Sequence, residues 1–287
     1  MAARFIYIHL GLLIMALLMT SACTERIDIE LDSTYQRLVV EAAVTSDSVR
    51  HHVLLSVTSD YFSNQPAGQL ENAVVELSFE DETMQLMEST EIPGRYESPI
   101  AFSGVPGTTY TLTISQIDVD EDGVTERYQA SSTMPGGSEI ESVELRHYST
   151  PLVSGHSVIL FAYNPVDRPD WFGFKLIKNS DVLTDTLTKY SVFSDELFDT
   201  GYFPGLPVGF LSDDNPREAL YSGDTLTLEM DCIEEAYYNF VTEAQLEIAG
   251  SYPLFSGPPA NVVSNIDNGA QGYFAAYSIL RFTVIVE

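Results

Sequence analysis

The stretch Asp118 to Glu126, DVDEDGVTE, sets carboxylates at alternate positions ahead of a glycine. Asp118, Asp120 and Asp122 would take the first, third and fifth places of a calcium loop, Gly123 allows the sharp turn, Val124 offers a carbonyl and Glu126 takes the ninth place. Clustered hard oxygen ligands suit Ca²⁺ better than a softer metal. At the twelfth place a helical calcium hand needs a bidentate Glu, and Gln129 stands there. That version fails, so the expected calcium ion would stiffen a turn and take no part in catalysis. The competing reading is a type I′ turn at Asp122-Gly123 with its acids facing water.

Other chemistry is sparser. His51-His52 cannot chelate one ion, because neighbours on a strand point to opposite faces. His147 and His156 stand alone in the sequence. No G-x-S-x-G elbow, H-E-x-x-H helix, phosphate-cradling glycine loop or dinucleotide fingerprint occurs, and nothing among the 42 acidic residues singles out a catalytic pair. An enzyme is therefore not expected. Tyr190 to Tyr221 mixes Phe193, Phe198, Tyr202, Phe203 and Phe210 with Gly and Pro and keeps no period. It reads as long loops whose rings either offer a binding surface to sugars or a partner, or plug the end of a β-sandwich.

The elements that would carry these residues begin with a leader. Arg4 precedes an apolar run from Phe5 to Met19, then Thr20, Ser21 and Ala22, then Cys23. The run is too short to span a bilayer and reads as a signal peptide over residues 1–22. Small residues directly before a Cys resemble the lipobox of bacterial lipoproteins, although Thr20 stands where Leu or Val is usual. Cys23 is thus expected to carry lipid and to hang the chain from a membrane through a tether over residues 23–34. Cys232 is then the one thiol left, so no intrachain disulfide is expected. Leu226, Leu228, Met230 and Cys232 share one face at period two, which makes Cys232 a small buried hydrophobe.

With 42 acidic against 13 basic residues and a net charge of −29, the chain repels nucleic acid. Period-two runs dominate it: Leu38, Val40, Ala42 and Val44; Val53, Leu55 and Val57; Val75, Leu77 and Phe79; Tyr110, Leu112 and Ile114. Breakers such as IPGRY and GVPGTTY separate them. The expected fold is mainly β, with two antiparallel β-sandwich units. The first, immunoglobulin-like, covers residues 35–135; the second covers 138–287, with MPGG at Met134 to Gly137 as the linker. One amphipathic helix is expected at residues 234–249, where Tyr237, Phe240, Val241, Ala244 and Ile248 recur at helical spacing.

The tail from Ser251 to Ser278 combines Phe255, Pro258-Pro259, Asn261, Asn265, Asn268-Gly269 and Gly272-Tyr273-Phe274. Physically it reads as scaffold, with a tight turn of positive φ at Asn268-Gly269. Together with RLVVEAAVTSD, GVPGTTYTLTI, GDTLTLEMDCIEEAYYNF and the lipobox, it resembles a Bacteroidetes family of lipoproteins catalogued as domain of unknown function 4249. That resemblance implies a lipid-anchored outer-membrane protein of no established activity, encoded beside TonB-dependent transporters that import glycans or peptides. It leaves open which face of the membrane the anchor occupies, and whether the chain serves a transporter or binds glycan or protein alone.

Overall fold

The computed structural model describes residues 36–58, 68–120, 122–166, 168–196, 201–249 and 262–287. The leader, Cys23, the tether, Phe198 and the Phe255 to Asn261 part of the tail lie outside the described residues.

Alternating sequence becomes strand throughout. The strands are β1 (Leu38–Thr45), β2 (His52–Val57), β3 (Val74–Phe79), β4 (Glu82–Gln85), β5 (Met87–Glu88), β6 (Arg95–Glu97), β7 (Thr109–Ile117) and β8 (Glu126–Thr133). They continue with β9 (Glu139–Ser149), β10 (Ser154–Tyr163), β11 (Trp171–Lys178), β12 (Asp181–Val182), β13 (Ser191–Ser194), β14 (Tyr202–Ser212) and β15 (Thr225–Ile233). Helix α1 (Glu235–Ala249) and β16 (Gln271–Ile285) complete the chain.

A nine-stranded sheet runs β12-β11-β15-β16-β1-β2-β6-β5, with β13 also paired to β11. Two smaller sheets, β4-β3-β7-β8 and β14-β10-β9, pack against it. The pairing is antiparallel except where β1 meets β16 in parallel register, Val40 opposite Gly272 and Val44 opposite Ala276. Gly272 is needed there: at φ +87° a Cβ would stand 2.0 Å from the Val40 carbonyl oxygen.

Two cores result. Leu38, Val40, Leu55 and Tyr96 of the large sheet meet Val75, Leu77, Leu112 and Ile114 of the four-stranded sheet. Phe172, Phe174, Leu228 and Met230 meet Val158, Leu160 and Phe203 of the three-stranded sheet. Truncating Leu228 to Ala in so closed a site would cost about 2–5 kcal/mol. The chain crosses between cores near Met134 to Gly137, but β16 belongs to both: Phe274 and Ala276 face the first core, Leu280, Phe282 and Val284 the second. The last strand thus welds the two sandwiches along one sheet.

The opposite face of that sheet is also covered, so β15 is buried on both sides, with Leu226, Leu228, Met230 and Cys232 on one and Glu229, Asp231 and Ile233 on the other. Helix α1 supplies the cover through Val241, Ala244 and the rings of Tyr237 and Phe240, which pack on Tyr273. Its apolar stripe ends a turn earlier than expected: Ile248 and Leu246 are exposed.

A second correction concerns residues 190–221, expected as loops. They contain β13 and the eleven-residue β14, paired with β10 through two register shifts. Pro204, Gly205, Pro207 and Gly209 erase the period-two signal, and the strand tolerates them because it is the edge of its sheet.

Candidate functional site

The acidic stretch forms the tip of the β7–β8 hairpin, anchored by the buried Val119. Asp118 accepts the backbone N–H groups of Asp122 (3.0 Å) and Gly123 (2.8 Å) through its two oxygens, and Glu126 accepts that of Val119 at 3.1 Å. Asp118, Asp120 and Glu126 bring carboxylate oxygens within 4.8 Å of one another and could hold a hard cation. Asp122 does not join them, because its carboxylate turns to the Val124 N–H at 2.7 Å. Gly123 takes a φ of +88°, the left-handed conformation that a glycine at this turn allows. At Asn268 and Gly269 both φ values are positive, as that pair predicts.

Among the described residues, the aromatic side chains of this stretch do not assemble into one surface. Phe203 is buried in the second core and meets Phe172 and Phe193 edge to face. Tyr202 lies on the outer side of its sheet, its ring 4.8 Å from that of Tyr163 and its hydroxyl donating to Glu141 at 2.6 Å. Phe210 lines a cavity of about 490 Å³ shared with Leu176, Leu183, Lys189 and Glu218.

The tail is scaffold where it is described. The Asn265 side chain acts as a strand neighbour to Phe274, donating to its carbonyl at 2.7 Å and accepting its N–H at 3.0 Å. Asp267 pairs with Gln129 of β8, its carboxylate accepting the Gln129 N–H at 2.6 Å and its backbone N–H donating to the Gln129 carbonyl at 3.0 Å. Cys232 is buried, and burial pushes its thiol up to about 11, so it is no nucleophile. His51 packs edge to face on Phe102, and His52 points the other way into solvent. His147 and His156 do not stand alone: they lie directly opposite on β9 and β10, rings 4.7 Å apart, beside Asp213. Counting outward from the turn at Pro151 gives this register, and that was the signal available in the sequence.

Two features lay beyond sequence reasoning. Where the sandwiches join, a cleft of about 690 Å³ is lined by Pro106, Met134, Pro135, Arg168, Trp171 and Ala236. Arg168 is held across it, donating to the Gly136 carbonyl at 2.6 Å and to Asp170 at 3.0 Å. Glu234, before α1, accepts the Thr133 N–H at 2.9 Å and so pins the helix start to the first sandwich. The second feature is a charge row on the helix-covered face, buried at Glu229 and Asp231 and open to solvent at Arg281. Lys175, Glu229 and Arg281 are register partners across β11, β15 and β16. Lys175 Nζ lies 2.8 Å from Glu229 and 2.9 Å from Asp231, and Arg281 joins Glu229 to Asp47 at 2.6 Å each. Tyr190 donates to Asp231 at 2.8 Å, over Gly173, where a Cβ would meet the hydroxyl at 1.7 Å.

Burial pushes the Asp231 carboxyl up to about 6, against the pull of Lys175 and with the help of Glu229. Burial works against the Lys175 ammonium, but the Asp231 and Glu229 carboxylates outweigh it and its pKa rises. The ammonium also sits 5.6 Å from the Tyr190 ring and 5.3 Å from that of Tyr277. The row fastens three strands and, through Asp47, the first sandwich.

These features define a mainly β protein of two sandwiches welded by one sheet, with a cleft at the weld and a helix over the back. The chain belongs to the family described as domain of unknown function (DUF4249), which it matches over residues 24–283. No match was found among curated proteins.

Proposed function

We propose that this protein is a lipid-anchored envelope binder, held to the outer membrane through Cys23, that serves a neighbouring TonB-dependent transporter by capturing or presenting its glycan or peptide ligand. The observation that carries the reading is the junction cleft, where the indole of Trp171 and the guanidinium of Arg168 meet in a groove of about 690 Å³. A flat aromatic face beside a fixed cation suits a sugar ring or a peptide with a carboxylate. The leader supports the anchor, since small residues precede Cys23 and the following residues to Thr34 give a tether. The family resemblance supports the transporter. The role is binding, not catalysis.

Trp171 is the single tryptophan of the chain, so its fluorescence reads the cleft directly. Oligosaccharides and short peptides titrated onto the full chain in detergent should shift that emission saturably, and Arg168→Ala should weaken the response about tenfold. A silent tryptophan against both classes removes the cleft from the account. Labelled palmitate incorporated into the wild type and lost in Cys23→Ser checks the anchor.

A further inference from the structure

The geometry points to a second site, independent of the cleft: His147, His156 and Asp213 form a binding site for one late first-row divalent metal, with Zn²⁺ as the natural occupant. The three residues end the inward-facing rows of their strands. Val143 and Leu145 precede His147 on β9, Val158 and Leu160 lie beyond His156 on β10, and Leu211 of β14 precedes Asp213. Core-facing positions that turn polar at the open rim of a sandwich place imidazole and carboxylate where side chains converge.

The ligand atoms are nearly in place. His147 Nε2 lies 2.9 Å from Asp213 Oδ2, His156 Nδ1 lies 3.7 Å from Asp213 Oδ1, and all three residues offer atoms within 4.8 Å of one another. Bonds of about 2.0–2.1 Å in a tetrahedron put ligand atoms about 3.3 Å apart, so small side-chain rotations close the shell. A simple ion pair between His147 and Asp213 does not account for His156, whose Nδ1 is buried, turned to the same carboxylate and without a hydrogen-bond partner.

The surroundings are those of a supported ligand set. Ser154 Oγ donates to Asp213 Oδ2 at 2.6 Å, and the Asp213 N–H donates to the Ser154 carbonyl at 3.0 Å, which fixes the carboxylate. Two imidazoles with one carboxylate favour zinc, nickel or copper over calcium or magnesium. Three protein ligands leave a fourth position for water or an exogenous donor. An occupied site would clip the β9–β10 hairpin to the end of β14.

The test uses the full chain, solubilised in detergent and purified without a polyhistidine tag, dialysed against Zn²⁺ and assayed for bound metal. The wild type should hold one equivalent, unaffected by excess Ca²⁺, and gain thermal stability with Zn²⁺. His147→Gln and His156→Gln should each weaken binding at least tenfold and lose the thermal gain, while His52→Gln, on the other sandwich, should keep both. His147 is half exposed, so its variant keeps the test sound if His156→Gln does not fold. Absence of bound zinc in the wild type, or binding by both rim variants as tight as that of the wild type, overturns the site and leaves an ion pair.

Discussion

Lys175→Met removes the one cation that touches Asp231 among the described residues and leaves there a carboxylate of zero exposure with the Tyr190 hydroxyl as its remaining described partner. Glu229 keeps Arg281, so the damage concentrates on Asp231. Breaking a buried ion pair from one side costs about 3–5 kcal/mol, and the lost contacts with the Tyr190 and Tyr277 rings fall within that range. The cost should depend on pH in a defined direction. A carboxyl raised in the folded state contributes stability that is complete below its unfolded value of 3.8 and is lost as pH rises through its folded value, about 6 in the wild type. Without Lys175 the folded value climbs further, so the variant goes on losing stability above pH 6, by up to about 1.4 kcal/mol per pH unit. Urea unfolding followed by Trp171 emission should show a small penalty at pH 5 and the full one at pH 7.5. Adding Asp231→Asn to Lys175→Met removes the orphaned charge and should restore most of the loss at pH 7.5. An equal penalty at both pH values, or a double variant no better than the single, would refute the reasoning.

Three further outcomes follow from named contacts. Asp231→Asn alone should flatten the wild-type loss of stability between about pH 4 and 6, read from urea midpoints across that range; an unchanged slope would reassign the titration to another group. Gly173→Ala should force Tyr190 off Asp231 and cost about 2–4 kcal/mol, while Gly223→Ala, strained by φ +93° but with nothing near its Cβ, should cost about 1 kcal/mol. Millimolar Ca²⁺ should slow proteolysis at the β7–β8 tip in the wild type and not in Asp118→Asn with Asp120→Asn; equal cleavage rates with and without Ca²⁺ would leave the tip as a self-capped turn.

The strands were legible because their period is two and their cores are one-sided: the inward set of β1, β2, β3 and β7 follows directly from the order of apolar and polar residues. The helix was legible from its spacing, but its fully buried residues are Val241 and Ala244, and the local pattern, which continues to Ile248, does not mark that limit. β14 was hidden, since edge position relaxes the very rules against Pro and Gly that mark a loop. The parallel pairing of β1 with β16 joins residues more than 230 positions apart and leaves no local mark beyond Gly272, whose missing side chain admits the Val40 carbonyl. For the same reason the charge row and the junction cleft were not legible: Lys175, Glu229 and Arg281 become neighbours only through strand register. The calcium ligands were chosen by spacing, and spacing alone could not show that Asp122 would turn to its own loop. The histidine rim was closest to being readable, lying across a single hairpin.

The central claim is tested most directly by purifying the lipidated full chain from detergent-solubilised envelopes and identifying what accompanies it by mass spectrometry. The account predicts a TonB-dependent barrel in near-stoichiometric amount from the wild type and its loss from Cys23→Ser. Recovery of the chain alone from native envelopes, with glycan or peptide still quenching Trp171, would contradict the transporter role and leave a freestanding binding module.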